Sequence, residues 1–504
     1  MATLLTSNDA FVPSVLAAIA GASTGAMICI ELSSGTYWSG TVGTISVPPG
    51  VHLRILGPTN GSPAELRMNL QSGTGLRVEL GSGATLEWAR VDVVNVNDWG
   101  AGSVLQVTTP LDGTARIDSS HLERHTAFSP SALLRLTGGG RVELQNLLLQ
   151  TNRTAVRSDL GVALSVRDTA FEGCQTGIHS PGVETLDVDN CWFQACGVGV
   201  RLQHDVQSPP TITSVTDSRF QRCEVGILSR VELPGSAGIS GTTSETSSDP
   251  HALDVERCRF AADGSGRGVV IEAPAPRTAA AAWTRVVSSV FDGLVAGVVV
   301  RTSRPDPILL SHNTFLACRV AGIDLSGVGP FAGFLTRNVG SDAGTSVQVA
   351  APVTLGINNV HIVEPVDRFA ANPRGGVFLP SWLGNIQQPD LPVGTQSFTP
   401  IVLGRCLFYS ERSWEPLSET VRRVFVSGPG SAPGTFTDIF VTHGWRHTGT
   451  DWENPYSLLS NSLVFSDAPT VDPALARTSG SDIDVHPTRI GSSAAFAGAS
   501  RPDL

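Results

Sequence analysis

The sequence contains no lysine, because all 34 of its basic residues are arginines. No lysine can therefore act as a general base, form a Schiff base or hold a phosphate group. The net charge is −11 at pH 7 in a chain of 504 residues, and the sequence contains no basic run. These features argue against a nucleic-acid-binding surface.

Cysteines, charged residues and aromatic residues are also scarce. Eight cysteines are too few for a disulfide-based scaffold. With 6% aromatic residues, the core must consist mostly of small aliphatic side chains. Glycine and proline are plentiful, at 53 and 32 residues. This composition indicates a turn-rich globular protein rather than a disordered chain.

The N-terminal stretch "MATLLTSNDAFVPSVLAAIAGASTG" lacks a positively charged region, and Asp9 precedes its apolar part. We therefore predict no Sec signal peptide. The apolar run "VLAAIA" is too short to span a bilayer, so we expect no membrane insertion. The expected locations are the cytoplasm, a virion, or the cell exterior after export by a non-classical route.

A repeat occupies the middle of the chain. Six segments share a phenylalanine that is followed six to eight residues later by glycine and then by isoleucine or valine. The segments are "VRDTAFEGCQTGIHS", "VDNCWFQACGVGVRL", "VTDSRFQRCEVGILS", "VERCRFAADGSGRGVVI", "VVSSVFDGLVAGVVV" and "LSHNTFLACRVAGIDL". Their phenylalanines are Phe171, Phe193, Phe220, Phe260, Phe291 and Phe315.

The repeat predicts a β-solenoid. Its short unit, its glycine turns and its alternating runs, such as Leu186-Asp187-Val188-Asp189, are typical of stacked coils of short strands. Coils stacked about 4.8 Å apart place like residues over like, so phenylalanines and cysteines should form ladders. We therefore interpret Cys196 and its equivalents as small buried side chains, with metal binding, redox chemistry or partial disulfide formation as the alternatives.

The N-terminal residues predict a cap for this solenoid. Val12, Val15, Leu16 and Ile19 have helical spacing after the polar starter Ser7-Asn8-Asp9. A short amphipathic helix here would cover the open end of the stack. We divide the chain into an N-terminal cap (1–25), a parallel β-helix (26–345) and irregular β-rich coils or a small lobe (346–504).

The stretch "SSGTYWSGTVGTISVPPGVHLRILG" and the "F-x-x-C-x-x-G-[IV]" segments resemble right-handed parallel β-helix proteins of the pectate-lyase-like superfamily, of the tailspike and surface type. The resemblance covers about residues 10–345. It implies an all-β, right-handed parallel β-helix with an N-terminal capping helix and long loop insertions toward the C-terminus. It does not fix the activity, because this superfamily contains enzymes, tailspikes, adhesins and non-catalytic surface proteins.

Outward positions on one strand of each coil form a column rich in acidic residues. The candidates for catalysis are Asp187, Asp189, Asp254 and Glu256, with Arg167 and Arg285 as substrate-binding residues at the two ends. Carboxylates two residues apart on one strand are about 7 Å apart, which suits inverting glycoside hydrolysis. One carboxylate would then protonate the leaving oxygen while another activates water. The alternative is an ordinary solvated sheet face, because polar residues alternate on any such face.

Two other chemistries are open to the same column. Its carboxylates could hold a calcium ion, which prefers several oxygen ligands; no other cofactor is indicated. A lyase would need a cation to neutralise a sugar carboxylate, and without lysine this role would fall to Arg167, Arg201 or Arg285.

A cluster of aromatic residues forms a second candidate near the C-terminus. Trp414, Trp445 and Trp452 lie within fifty residues of one another, in loop-like sequence. Exposed rings stack on sugar faces, so these residues are candidates for substrate binding. The alternative is that they pack an end of the solenoid where the ladder fails.

The sequence leaves two classes of function open. One is a β-helix that binds and cleaves polysaccharide, as a hydrolase or lyase on a cell surface or in a phage-type spike. The other is a non-catalytic structural or adhesive solenoid, within a virion or a secreted assembly. A spike would predict a homo-oligomer, with a side-by-side trimer favoured.

Overall fold

The computed structural model describes most of the chain up to residue 302 and shorter stretches beyond it. The described ranges are 2–6, 10–39, 43–70, 75–98, 102–124, 132–159, 161–181, 185–205, 212–232, 252–273, 284–302, 308–311, 313–316, 318–319, 321–325, 332–336, 339–341, 347–349, 354–358, 361–364, 401–410, 435–442 and 463–466. They fall into two compact units, Met1–Leu253 and Asp254–Leu504.

The N-terminal unit is a stack of coils, each with three short strands that contribute to three parallel sheets. The first sheet contains Ala2–Leu5, Met27–Leu32, His52–Leu56, Thr85–Ala89, Thr114–Asp118, Arg141–Gln145, Ala163–Arg167, Thr185–Asp189 and Ile212–Thr216. The second contains Gly35–Ser39, Ala64–Leu70, Val91–Asp98, His121–Arg124, Leu148–Thr151, Ala170–Glu172, Trp192–Gln194 and Arg219–Gln221. The third contains Gly43–Val47, Leu76–Leu80, Leu105–Thr109, Ala132–Gly138, Thr154–Ser158, Thr176–Ser180, Val198–Asp205 and Val225–Glu232.

The C-terminal unit repeats the three-strand coil. Strands equivalent to the first sheet are Ala252–Glu256, which contains the boundary between the units, Thr284–Val287, Ile308–Ser311, Ala332–Thr336 and Thr354–Asn358. Those equivalent to the second are Arg259–Ala261, Val290–Asp292, Thr314–Leu316, Val339–Ser341 and His361–Glu364. Those equivalent to the third are Arg267–Ala273, Ala296–Thr302, Ala321–Leu325 and Val347–Val349.

Parallel pairing continues within the region predicted to be irregular. Ile401–Ser410 pairs with both Thr354–Asn358 and His361–Glu364, and Thr435–Thr442 and Leu463–Ser466 follow it in turn. Whether residues 346–504 form coils or a separate lobe stays a prediction.

This pairing confirms the predicted right-handed parallel β-helix. Each strand pairs in parallel with its equivalent one coil away, so every backbone group of a strand interior has a partner above or below. The predicted alternation is also confirmed, because Leu186 and Val188 are buried while Asp187 and Asp189 point outward.

The predicted capping helix is present at Phe11–Ile19. It buries Phe11, Val15 and Ile19, and the Phe11 ring meets Trp88 edge to face with the ring centres 6.1 Å apart. Leu16, expected on the apolar face, is 37% exposed. Ala10 precedes the helix without a side-chain cap, and the predicted polar start at residues 7–9 lies outside the described residues.

The predicted phenylalanine ladder forms in both units. In the N-terminal unit the ring centres of Phe171 and Phe193 are 4.5 Å apart, and those of Phe193 and Phe220 are 4.7 Å apart. In the C-terminal unit the Phe291 ring stacks between Phe260 and Phe315 at 4.8 and 4.9 Å. These distances equal the spacing between neighbouring strands, so the coil repeat itself sets the ring stacking.

The cysteines occupy the ladder positions that were predicted for them. Six of them are buried: Cys174, Cys191, Cys196, Cys223, Cys258 and Cys318. They are free thiols, as is the half-buried Cys29. Within the described residues the structural interpretation therefore holds, and no disulfide forms in the ladder.

Candidate functional site

The predicted acidic column lies on the outward face of the first sheet. Asp187 accepts a hydrogen bond from Arg167, with Nη2 and Oδ2 3.1 Å apart, and this bond raises the pKa of Arg167. Asp189 accepts one from the Thr216 hydroxyl at 2.9 Å. The structure therefore brings three predicted residues together as an ion pair beside a hydrogen-bonded carboxylate.

Similar ion pairs cover other parts of this face in the N-terminal unit. Arg54 and Glu87 are 2.6 Å apart, and Arg141 and Glu143 are 3.1 Å apart. Such solvent-exposed pairs contribute about 0–1 kcal/mol each. The Arg167–Asp187 pair matches this pattern, which is typical of a solvated sheet face. A catalytic role for Asp187 and Asp189 stays a prediction.

Asp254 in the C-terminal unit has a different environment. Its Oδ2 accepts a hydrogen bond from Arg285 at 2.9 Å, whereas its Oδ1 is buried and has no hydrogen-bond partner among the described residues. Burial raises the pKa of Asp254; the charge of Arg285 opposes this effect and that of Glu256 adds to it. Glu256 lies on the same face of the strand and is paired with Arg257. Burial of Asp254 therefore favours its protonated form, which is the form that a general acid requires.

The remaining predicted residues lie elsewhere. Trp414, Trp445 and Trp452 are outside the described residues, so their role in substrate binding stays a prediction. Among the residues that the structure does describe, no group of three or more His, Cys, Asp or Glu side chains is placed to hold a metal ion.

A cleft on the second sheet of the N-terminal unit was not predicted. It is a shallow depression, largely open to solvent, with a volume of about 410 Å³. The residues that line it are polar or charged apart from one glycine, although their aliphatic carbons provide much of the exposed lining: Glu123, Arg124, Gln150, Thr151, Asn152, Glu172 and Gly173. We call this site the second-sheet cleft.

Three side chains of the second-sheet cleft lie in register on consecutive strands. Gln150 pairs with Glu123 on one side and with Glu172 on the other. Its Nε2 donates to Glu172 Oε2 at 2.6 Å, and its Oε1 lies 3.0 Å from His121 Nε2. Because Oε1 can only accept, this network assigns the donor role to His121 Nε2. The carboxylates therefore flank an amide whose orientation is fixed.

The inner side of the second-sheet cleft is also polar. Arg124 and Thr151 are 2% and 5% exposed, and Arg124 Nη1 donates to the carbonyl of Gly102 at 3.2 Å. Asn95, in register with Arg124, is fully buried, and neither of its amide atoms has a hydrogen-bond partner among the described residues. Buried polar side chains without a hydrogen-bond partner are costly, so Asn95 is an unusual residue to find beside the cleft.

Sequence reasoning missed the second-sheet cleft because two of its three coils lack the phenylalanine. Leu122 and Leu149 occupy the ladder position there, in register with Phe171. The residues that follow Leu122, Leu149 and Phe171 point outward. They are Glu123, Gln150 and Glu172. Extending the repeat with leucine allowed at the ladder position would have aligned these three residues.

No protein-family model matches the sequence, and no curated protein matches it. Solved structures do show similarity. One is a PL6 alginate lyase in complex with a trisaccharide, with 10% identity, a TM-score of 0.44, and 71% of this chain and 85% of that chain covered.

A second is a double mutant of the tailspike protein of E. coli bacteriophage HK620, with 11% identity, a TM-score of 0.38, and 91% of this chain and 77% of that chain covered. A third is the catalytic domain of a GH87 α-1,3-glucanase in complex with nigerose, with 12% identity, a TM-score of 0.27, and 66% and 59% covered. The likeness concerns the fold alone. Within the described residues, no helix has the length and apolar character needed to cross a membrane.

Proposed function

We propose that this β-helix protein binds a polysaccharide chain in the second-sheet cleft. The observation that carries the proposal is a cleft of about 410 Å³ in which two carboxylates flank an oriented amide. Sugar hydroxyls both donate and accept hydrogen bonds, and carboxylate and amide groups satisfy both roles. Neighbouring strands repeat these groups about every 4.8 Å, which suits a chain of similar units lying along the stack.

The spacing of the cleft carboxylates favours hydrolysis as a second step. Glu123 and Glu172 lie two strands apart in register, which corresponds to about 9.6 Å between their backbones. This distance lies at the upper edge of the range in which one carboxyl group protonates the leaving oxygen and another activates water with inversion. Glu123 and Glu172 would share the acid and base roles.

Binding is tested with the purified full chain on an array of neutral and acidic polysaccharides. We expect at least one polysaccharide to bind, and the double variant E123Q/E172Q to weaken that binding by about tenfold or more. Glu143→Gln is the matched control, because Glu143 is an outward carboxylate of the first sheet paired with Arg141. Absence of binding by the wild-type protein, or equal loss in both variants, would contradict the proposal.

Cleavage is tested by measuring new reducing ends and the ultraviolet absorbance of unsaturated products on the polysaccharides that bind, with and without calcium. New reducing ends without ultraviolet absorbance support hydrolysis by the wild-type protein. Loss of these reducing ends in E123Q or E172Q places the hydrolysis in the second-sheet cleft. If instead D187N, D189N, D254N or E256Q abolishes cleavage, the active site lies in the predicted acidic column. Binding with no cleavage supports the non-catalytic adhesive alternative.

The assembly in which the protein works is a separate part of the proposal. We propose a cell-surface or phage-type spike component, because a rigid solenoid with a lateral cleft would present that cleft along its side. Light scattering on the purified protein tests this idea. A side-by-side trimer supports it, and a strict monomer at all concentrations argues against it.

A further inference from the structure

A column of basic side chains runs along the outward face of the third sheet in the N-terminal unit. Arg135, Arg157, His179 and Arg201 occupy consecutive strands in register. All four side chains point outward, since the residues before and after each of them in its own strand face the core. Each of the four is half-buried. We call this set the basic column; it lies on a different sheet from the second-sheet cleft.

The charge of the basic column is balanced at one end only. Asp159 binds both Arg135, at 2.8 Å, and Arg157, at 3.0 Å. Arg201 has no carboxylate within ion-pair distance among the described residues, and its buried Nε has no hydrogen-bond partner there. Arg135 and Arg157 therefore share the carboxylate of Asp159, and Arg201 has no carboxylate partner among the described residues.

His179 lies between Arg157 and Arg201 on consecutive strands. Its Nε2 is 3.1 Å from Gln203 Oε1. Burial lowers the pKa of His179, and the hydrogen bond with Gln203 opposes this effect; the charges of Arg201 and Arg157 lower the pKa further, against an opposing effect of Asp159. The imidazole is therefore mostly neutral at pH 7, and an anion placed beside it would offset the repulsion between the guanidinium groups of Arg157 and Arg201.

The first sheet differs from the third in this respect, since on the third sheet Arg77 also has a buried Nε without a hydrogen-bond partner among the described residues. On the first sheet, Arg54, Arg116, Arg141 and Arg167 each bind a carboxylate of the same sheet. The whole chain carries a net charge of −11. An unpaired, partly buried guanidinium in an acidic protein has lost part of its hydration without gaining a counter-charge, and a bound anion would supply one.

We propose that Arg157, His179 and Arg201 bind the carboxylate or sulfate groups of an anionic polysaccharide. Strands spaced about 4.8 Å apart offer donors at regular intervals, which matches a polymer with regularly spaced charges better than a single small anion. A nucleic acid is disfavoured, since single strands are held by aromatic stacking as well as charge, and the column contains no Trp, Tyr or Phe.

The test uses three probes that share one backbone: dextran, carboxymethyl dextran and dextran sulfate of equal length. Binding to the full-length protein is measured by interferometry at low and high salt. We expect the two anionic probes to bind and plain dextran not to bind by this route, with binding lost as salt rises because half-exposed charges are screened. The stronger of the two anionic probes identifies carboxylate or sulfate as the preferred group.

Variants locate the site on the column. Arg201→Gln should weaken anionic binding by about threefold or more, the double variant R201Q/H179Q by about tenfold, and R201K should keep most of it. Arg54→Gln is the matched control, because it removes an arginine that is already paired with Glu87. Thermal unfolding of each variant checks that it is folded.

Three outcomes would overturn the proposal: unchanged binding in R201Q, equal loss in R54Q, or equal binding of plain dextran. Single-stranded DNA is a fourth probe. If it binds as tightly as the anionic dextrans, the basic column binds polyanions in general and is not specific for polysaccharide. This assay depends on the basic column and the cleft assay on Glu123 and Glu172, so the failure of either proposal leaves the other standing.

Discussion

Gly199 lies directly against the ring of Phe220 from the next coil. A Cβ atom added to Gly199 would be 2.6 Å from Phe220 Cδ1 and 2.6 Å from the carbonyl oxygen of Gly226. Gly177 has the same relationship to Phe193, at 2.8 Å, as does Gly297 to the Phe315 ring, at 2.5 Å. The glycine of each repeat is therefore required by the phenylalanine of the following repeat.

This relationship predicts the effect of Gly199→Ala. The added methyl group must displace either the Phe220 ring, which is stacked on Phe193, or a backbone carbonyl, and overpacking of this kind costs about 1–3 kcal/mol. We expect a lower midpoint in both thermal and urea unfolding.

Ser214→Ala is the control, because Ser214 points outward on the first sheet and has no ring above it. If G199A unfolds at the same midpoint as S214A, the coils are packed less tightly than the structure shows.

The fold could be predicted from the sequence because stacking makes equivalent residues repeat. The phenylalanine and cysteine positions, the alternation on Thr185–Asp189 and the helix at Phe11–Ile19 all follow from patterns within a single coil. The strand Ala2–Leu5 was not predicted, because it pairs only with Met27–Leu32 and has no repeat of its own to identify it.

The candidate site could be predicted only in part. Asp187 and Arg167 do meet, but sequence spacing does not show that they neutralise each other. Glu123 and Glu172 become neighbours of Gln150 only once the register of three coils is known, and two of these coils carry leucine instead of phenylalanine. The unpaired state of Arg201 depends on which carboxylates come within reach, and sequence alone does not contain that information.

Asn190 supports a second stability prediction. It has a φ of 50° in the turn between the first and second sheets, as do Asp168 and Asp217 in neighbouring coils. Its Nδ2 donates to Asp168 Oδ1 at 2.7 Å, and its backbone N–H donates to the carbonyl of Thr216. Asparagine and aspartate tolerate this left-handed conformation, whereas β-branched residues do not.

We therefore expect Asn190→Val to lower the free energy of unfolding by about 1–2 kcal/mol, the cost of forcing such a residue into the left-handed region. Asn190→Gly should be close to neutral, because glycine adopts the conformation freely and only the side-chain hydrogen bond is lost. Urea unfolding of the two variants checks this prediction. Equal losses would mean that the hydrogen bond to Asp168, and not the backbone conformation, sets the stability of the turn.

The buried cysteines should be unreactive in the folded protein. Burial raises the pKa of Cys191 and of Cys318 to about 12, so very little thiolate forms at pH 8. We expect iodoacetamide to modify Cys29, which is half-buried, well before either of them. Mass spectrometry of peptides after timed labelling measures the order, and labelling in guanidinium chloride confirms that every thiol can react. Rapid labelling of Cys191 in the native state would show that its coil opens.

His179 gives the protein a predicted pH dependence of stability. Burial lowers its pKa in the folded state below the ordinary value of 6.5, so on acidification the unfolded chain takes up a proton before the folded chain does. The contribution of this residue to stability is therefore complete above about pH 6.5 and is lost as the pH falls toward the folded-state pKa. His179→Gln, which keeps a hydrogen-bond donor for Gln203, should remove this part of the acid sensitivity. Unfolding free energies of both proteins at pH 7.5 and pH 5.5 provide the measurement, and the decrease should be smaller in the variant. An identical decrease would assign the acid sensitivity to groups outside the basic column.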